Sequence, residues 1–350
     1  MFEFNQIHVE ALCCDFGPLN KALLKRLGVY AEACKNSSNI LDIPDYKICN
    51  CFLNPFRNNH TIKVLLDFTH IFKRLRGQFE RTDLILNEET RARFINEYHL
   101  SPTDNHCSFH WIRLLYEKEQ EQIFQHGAAM TMTNLCHADI WPSSFQRMRV
   151  KYTSKLFSNK VASAIMAYRE NDISFLNSHS TAIFLIETNN WFKLVNNYKS
   201  DLALSTFKPF LLQNLKTKIK NFAKMIVLGK FVKTKFPEDY PQGYKLPNSS
   251  IKPIQSSVAI STASLDMIAT DLMKLQAINF YTTNTSQDSV ESFFSELRAE
   301  GFGNPTPLRV LQILKNRIIK FRNSSNKHFT FFGVEDSEDL ICNYELNSRY

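Results

Sequence analysis

The chain has 350 residues, 44% hydrophobic and 22% charged, with 29 Phe, 12 Tyr and 3 Trp. This composition excludes a disordered or collagen-like chain and supplies apolar mass for more than one domain. The formal net charge is +8. No run of about 18 apolar residues predicts a membrane span, and Met1-Phe2-Glu3-Phe4-Asn5 lacks the basic-then-apolar order of a secretory signal.

The opening reads as α/β. Residues 7–14 alternate and stop at Asp15, as a strand does. Asp15-Phe16-Gly17-Pro18 is a turn, and Leu23, Leu24 and Leu27 predict a helix from Asn20 to Gly28. A loop rich in Asn, Ser and Pro follows. Thr61–Asp67 is a short apolar strand that ends in a carboxylate, and Thr69–Phe79 is a basic helix. From Ser108 to about Lys235 the pattern is helical, with candidates at 108–126, 143–168, 190–200 and 208–235. The stretch 180–187 (STAIFLIE) fits either a strand or a buried helical turn. Residues 237–257 carry four prolines and read as a surface linker. Helices are expected over 264–275, 286–300 and 305–321, the last with Leu308, Leu311, Leu314 and Ile318 on one stripe. A short strand fits 278–283. No internal repeat is present.

The charge is concentrated. Residues 191–236 hold ten lysines against one acid, Asp201, a balance of +9 in a chain whose total is +8. Such a segment suits a polyanion, and equally a solvated helix face. The eight cysteines form no C-x-x-C pair and read as reduced thiols of an intracellular protein. His106, His110 and His137 form no H-E-x-x-H helix. Trp111, Trp141 and Trp191 are expected to anchor a core, and Phe293-Phe294 to be buried against a sheet. Asn36, Asn248 and Asn323 begin sequon-like triplets that an intracellular chain would not use.

Two acidic positions carry the candidate chemistry. Asp67 opens D-x-x-H-x-x-K, and Gln287-Asp288-Ser289-Val290-Glu291 opens a helix more than 200 residues later. Carboxylates that converge from remote segments can hold the divalent ions of phosphoryl-transfer nucleases. By spacing alone, Asp67 can equally cap the helix that follows it, and Asp288 and Glu291 can favour a helix N-terminus.

The wording of the residues is more specific than their spacing. Gln287-Asp288-Ser289-Val290-Glu291-Ser292-Phe293-Phe294, then Leu297-Arg298, then Gly303-Asn304-Pro305-Thr306-Pro307 resembles the C-terminal RNase H segment of P-element transposases, including their THAP-domain relatives. Asp67-Phe68-Thr69-His70-Ile71-Phe72-Lys73 resembles their "DPPHLIK" segment. Cys14-Asp15-Phe16-Gly17-Pro18-Leu19-Asn20 resembles "SDMGxxN". Residues 150–158 (VKYTSKLFS) resemble "VKLAxQxxS" of the family's inserted guanine-nucleotide-binding domain, which 181–184 and 192–197 also fit. The blocks run in family order over residues 7 to 321.

The resemblance implies an RNase H-like α/β fold, incomplete at its N-terminus and interrupted by a mostly α-helical insertion. The corresponding division is 1–107 and 263–325 for the RNase H-like parts, 108–236 for the insertion, 237–262 for a linker and 326–350 for a tail. It implies metal-dependent DNA strand transfer with Mg²⁺ and GTP in a nuclear protein, with DNA and a homo-oligomer as partners. Asp67 would be the second catalytic carboxylate and Glu291 the third, both metal ligands. Asp288, Asn196 and Asn134 would face the nucleotide. Lys216, Lys218, Lys220 and Lys224 would face DNA.

The chain departs from the family pattern in three places, the mildest being Gly301-Phe302-Gly303-Asn304 in place of a run that often includes an Asp. The family's first catalytic Asp precedes the "SDMG" segment, and only fourteen residues precede Asp15. The expectation is therefore a transposon-derived chain that keeps the fold and DNA binding but not cleavage. An active enzyme, with the missing acid supplied by Asp15 or by an upstream exon, is one alternative, and a protein-interaction module is another. In the insertion, Asn134 stands where the family has a Lys for phosphate, and Lys193 where it has an Asp for the guanine edge. Buried guanine donors without that acceptor would cost roughly 1–3 kcal/mol each, which counts against GTP.

Overall fold

The computed structural model describes residues 9–57, 59–197, 204–205, 209–234, 251–274, 279–287, 291, 294–295 and 306–323. The chain divides into two compact units between Ser286 and Gln287.

The first unit is built around one buried strand. In chain order its first half contains β1 (Ala11–Cys14), α1 (Pro18–Arg26), β2 (Tyr30–Ala33), β3 (Tyr46–Cys49), β4 (Cys51–Leu53), β5 (Thr61–Leu66), α2 (Phe68–Phe79), β6 (Asp83–Ile85), α3 (Glu88–Tyr98) and β7 (His106–Cys107). Strand β5 lies between β1, which is parallel to it, and β4, which is antiparallel. Because both flanks and faces are covered, Ile62, Val64, Leu65 and Leu66 are all buried and the strand reads as a continuous apolar run. Its one cation, Lys63, is buried but paired with Glu10 at 3.2 Å and Asp271 at 2.9 Å. The segment expected to be a loop after α1 instead contains the β2–β3 hairpin and β4.

The helical part that follows comprises α4 (His110–His126), α5 (His137–Ile140), α6 (Ser144–Arg147), α7 (Val150–Leu156), α8 (Asn159–Asn171) and α9 (His179–Val195). The single helix expected over 143–168 is three. Phe157 leaves the helical region at ψ 58°, and Ser158 restarts it as an N-cap that accepts from the Val161 amide at 3.3 Å. The ambiguous 180–187 stretch is the N-terminal half of α9. Its residues His179 to Leu185 are all buried, as in a helix packed on every side. An aromatic chain fills this core. Phe72 stacks on Phe192 at 3.9 Å, Phe79 meets Phe184 at 4.7 Å, and Trp191 stacks on Phe222 at 4.4 Å. Trp111 and Trp191 are core anchors as expected, but Trp141 is 40% exposed, stacked near His137.

The unit closes with β8 (Leu204–Ser205), α10 (Pro209–Leu228), β9 (Lys230–Val232), α11 (Pro253–Lys274) and β10 (Asn279–Phe280). Strand β9 joins β6 and β7 in a second sheet, and β8 pairs with β10. Gly229, between α10 and β9, has no room for a side chain: a Cβ there would lie 2.6 Å from Leu84 Cδ1 and 2.6 Å from the Met225 carbonyl. The expected linker ends sooner than its composition suggests. Pro253 opens α11, and Ile254, Val258, Ala259 and Ile260 are buried.

Helix α11 packs beside β5, and its serines replace a missing strand partner. Antiparallel pairing with β4 runs only from Thr61 to Lys63. Beyond it, Ser261 Oγ accepts from the Leu66 amide at 2.8 Å and donates to the Leu66 carbonyl at 2.9 Å. Ser264 Oγ donates to the Val64 carbonyl at 2.5 Å. Residues three apart on a helix thus meet alternate residues of a strand. In the second unit, α12 (Pro307–Asn323) buries Ile313, while Leu308 and Leu311 of the expected stripe are exposed. Among the described residues no helix is long and apolar enough to cross a membrane.

Candidate functional site

The ends of two parallel strands set the site. Cys14 of β1 is in register with Leu66 of β5, so the next residues, Asp15 and Asp67, leave the sheet side by side, about 5 Å apart by ordinary strand spacing. Asp15, offered by the sequence only as an alternative source of the missing acid, thus directly follows the strand that pairs with β5.

The two carboxylates have different surroundings. Asp67 is 1% exposed and caps α2: its Oδ1 accepts from the Thr69 amide at 2.7 Å. Asp15 is only half-buried. Its Oδ1 accepts from the Gly17 amide at 3.1 Å and from Asn20 Nδ2 at 2.5 Å. The Gly17 amide holds the Asp15 carboxyl below the usual carboxylate range; burial opposes it, and Asn20 with the nearby His70 and Arg74 adds to the lowering. Arg74 donates to the Phe16 carbonyl at 2.7 Å, which fixes α2 against the Asp15 turn. The sequence signal for Asp15 was an acid directly after a strand, followed by Gly17 and Asn20, the same grammar that singled out Asp67.

The remaining predicted residues are dispersed. Glu291 lies in the second unit, exposed, with its amide bonded to the Gln287 carbonyl at 2.9 Å. Asp288 and Phe293 lie outside the described residues. Phe294, expected to be buried, is 50% exposed. Among the described residues no three His, Cys, Asp or Glu side chains gather as a metal cluster. Asn134 is exposed and left-handed, with φ 61°, and Asn196 is the half-buried C-cap of α9. Of the four lysines expected to face DNA, three are engaged within the chain. Lys216 pairs with Asp266 at 2.8 Å, Lys220 with Asp266 at 3.4 Å, and Lys224 with Glu89 at 3.0 Å. Lys218 is exposed.

A second feature lies in the helical part. A groove of about 510 Å³ runs along the N-terminal half of α8 and is lined by Thr131, Thr133, Asn159, Lys160 and Ser163. Its far wall is held by Glu119, a buried carboxylate that accepts from the Thr131 hydroxyl at 2.7 Å, the Thr133 amide at 3.1 Å and the Thr133 hydroxyl.

Comparison with known proteins sets these features in context. Residues 70–202 match the family described as "TNP-like, GTP-binding insertion domain". It is 24% identical over 349 residues to the Transposable element P transposase of Drosophila melanogaster, an alignment that covers 97% of this chain and 39% of that protein. In three dimensions it is similar to the solved Drosophila P element transposase strand transfer complex, with a TM-score of 0.63 at 20% identity, covering 91% of this chain and 62% of the other. In both sequence and fold the chain is thus similar to the P element transposase, and it spans about two fifths of that curated relative's length.

Proposed function

We propose that the chain forms the RNase H-like core of a P-element-type transposase, which binds nuclear DNA and presents carboxylates to a divalent metal at the ends of β1 and β5. The observation that carries this reading is the register Cys14↔Leu66, which sets Asp15 beside Asp67. Asp15 is the better metal ligand of the two. Both of its hydrogen bonds fall on Oδ1, and its depressed pKa keeps it ionised. Asp67, buried and committed to its cap, orients α2. The family resemblance would make Glu291 the third carboxylate. A bound Mg²⁺ would polarise a phosphodiester oxygen at this edge.

Guanine-nucleotide binding belongs to the same reading, and the groove along α8 supports it. Its volume lies within the few-hundred to thousand Å³ range of small-ligand pockets. Lys160 and the Ser163 hydroxyl offer a cation and a donor to phosphate, whereas the hydroxyl hydrogens of Thr131 and Thr133 are committed to Glu119. Asn134 directly follows Thr133, whereas Lys193, exposed on α9, offers no acceptor to guanine.

The test is titration of Mn²⁺ into the purified chain, followed by electron paramagnetic resonance. Asp15→Asn keeps the acceptor for Gly17 but removes the charge. It is expected to weaken binding about tenfold or more, roughly 1.4 kcal/mol, with a small loss of Tm because the folded chain stabilises the Asp15 charge. Equal Mn²⁺ affinity in the wild-type and Asp15→Asn proteins would remove Asp15 from the site.

A further inference from the structure

Three of the α10 lysines are engaged within the fold. Asp266 and Glu89 engage Lys216, Lys220 and Lys224 of α10, and the Ile40 carbonyl also accepts from Lys220 at 3.2 Å. At the opposite extreme, Lys21, Lys25 and Arg26 of α1 are exposed and Lys73 of α2 is half-buried. None of the four has an ion-pair partner among the described residues.

The fold gathers these cations on one edge. Helix α1 begins just after β1 and α2 just after β5, and the two strands are parallel neighbours, so both helices start at the same end of the sheet. Phe16 locks them together. Lys21 Nζ lies 5.7 Å from its ring centre and Arg74 Cζ lies 5.8 Å from it. The core-facing stripe of α2 is Phe68, Ile71, Phe72, Leu75 and Phe79, all buried, which leaves His70, Lys73 and Arg74 on the half-exposed side. Lys21 and Lys25 are one turn apart, about 6 Å along the axis. That is close to two phosphate steps of a DNA strand, about 7 Å.

We propose that the edge formed by α1 and the outer stripe of α2, rather than α10, is the surface that holds the phosphodiester backbone of duplex DNA. The proposal deepens the DNA-binding reading above and rests on it. Positive charge without internal partners is what a polyanion can exploit by counterion release. The same edge carries Asp15 and Asp67, so backbone held here passes over the carboxylates. Contacts of this kind position the duplex without reading its sequence.

The test is fluorescence anisotropy of a labelled duplex DNA titrated with the full chain over a range of salt concentrations. The variant Lys21→Ala/Lys25→Ala/Lys73→Ala is expected to lose affinity and to reduce the log–log salt slope by about 2.7, close to 0.9 for each lost phosphate contact. Lys25→Ala alone, on an exposed position, should reduce it by about 0.9 and stands in if the triple variant does not fold. Lys218→Ala, the open lysine of α10, should leave the slope unchanged. A wild-type slope in folded Lys21/Lys25/Lys73 or Lys25 variants overturns this surface but not DNA binding. Absence of salt-dependent binding by the wild-type chain overturns both.

Discussion

Asp15 and Asp67 occupy equivalent places at the ends of neighbouring strands, yet their surroundings assign them different work. Asp67 is enclosed and serves the Thr69 amide, while Asp15 is anchored through one oxygen and stays partly open. The thiols beside them show the same control by environment. Burial first, then the Asp15 charge, pushes Cys14 up to about 11, and burial raises Cys107 well above the ordinary thiol range. A raised thiol pKa lowers the thiolate fraction at every pH below it, and the thiolate is the nucleophile. Iodoacetamide at pH 8, followed by peptide mass spectrometry, should therefore label exposed Cys136 first, Cys14 slowly and Cys107 not at all in the folded chain. Moving to pH 9 should still leave Cys14 mostly protonated. Labelling of Cys107 at the rate of Cys136 would contradict the buried placement. The cap at Asp67 was legible because an N-cap is a local signal. The role of Asp15 was not, because it depends on which strand lies beside β1.

Helix α11 shows how an element can be misread when its partner is remote. Ser257, Ser261 and Ser264 sit in a polar stretch after several prolines, which locally resembles a linker. In the fold two of those hydroxyls face the edge of β5, 195 residues away in the chain for Ser261 and Leu66. An unpaired strand edge leaves backbone donors and acceptors unsatisfied, and small hydroxyl side chains let a helix approach closely enough to satisfy them. Ser261→Ala adds no bulk and removes both bonds to Leu66. It is expected to cost about 1–3 kcal/mol in urea unfolding. A loss within 0.5 kcal/mol, taking roughly the range of neutral surface substitutions, would mean that the strand edge is satisfied in another way. Helix α9 was ambiguous for a related reason: an apolar run buried on all sides has no period to distinguish strand from helix.

At the scale of the molecule, α2 is the rod that joins the sheet to the helical part. Its N-terminus is the Asp67 cap. Near its C-terminus Arg76, 2% exposed, donates to Glu80 at 2.8 Å and to the Asp139 carbonyl at 2.6 Å. Arg147 also pairs with Glu80, and Lys155 donates to Asp139 at 2.5 Å. Desolvation lowers the pKa of Arg76, and Glu80 opposes that shift, so the buried charge depends on its partners. Arg76→Met is expected to destabilise the first unit by about 3 kcal/mol, since it leaves Glu80 and the Asp139 carbonyl short of a buried donor. Chemical denaturation measures this directly, and a loss below about 1 kcal/mol, the scale of a surface ion pair, would show that the network contributes little to docking the helical part.

Some properties of this protein belong to its sequence alone. The caps at Asp67 and Ser158, the apolar run of β5, the local excess of lysine and the ordered family blocks each depend on residues within a few positions of one another, where backbone geometry and side-chain chemistry act directly. Other properties were settled only by tertiary structure. These are the parallel pairing of β1 with β5, the serine-lined edge of α11, and the pairing of α10 lysines with Asp266 and Glu89. Each joins segments that are distant in the chain, and burial of the whole surface, rather than local preference, selects which of them meet. The same +9 segment could have been an open cationic face or a set of internal ion pairs. Only the position of the acids in space decided that three of its lysines, Lys216, Lys220 and Lys224, are paired within the chain.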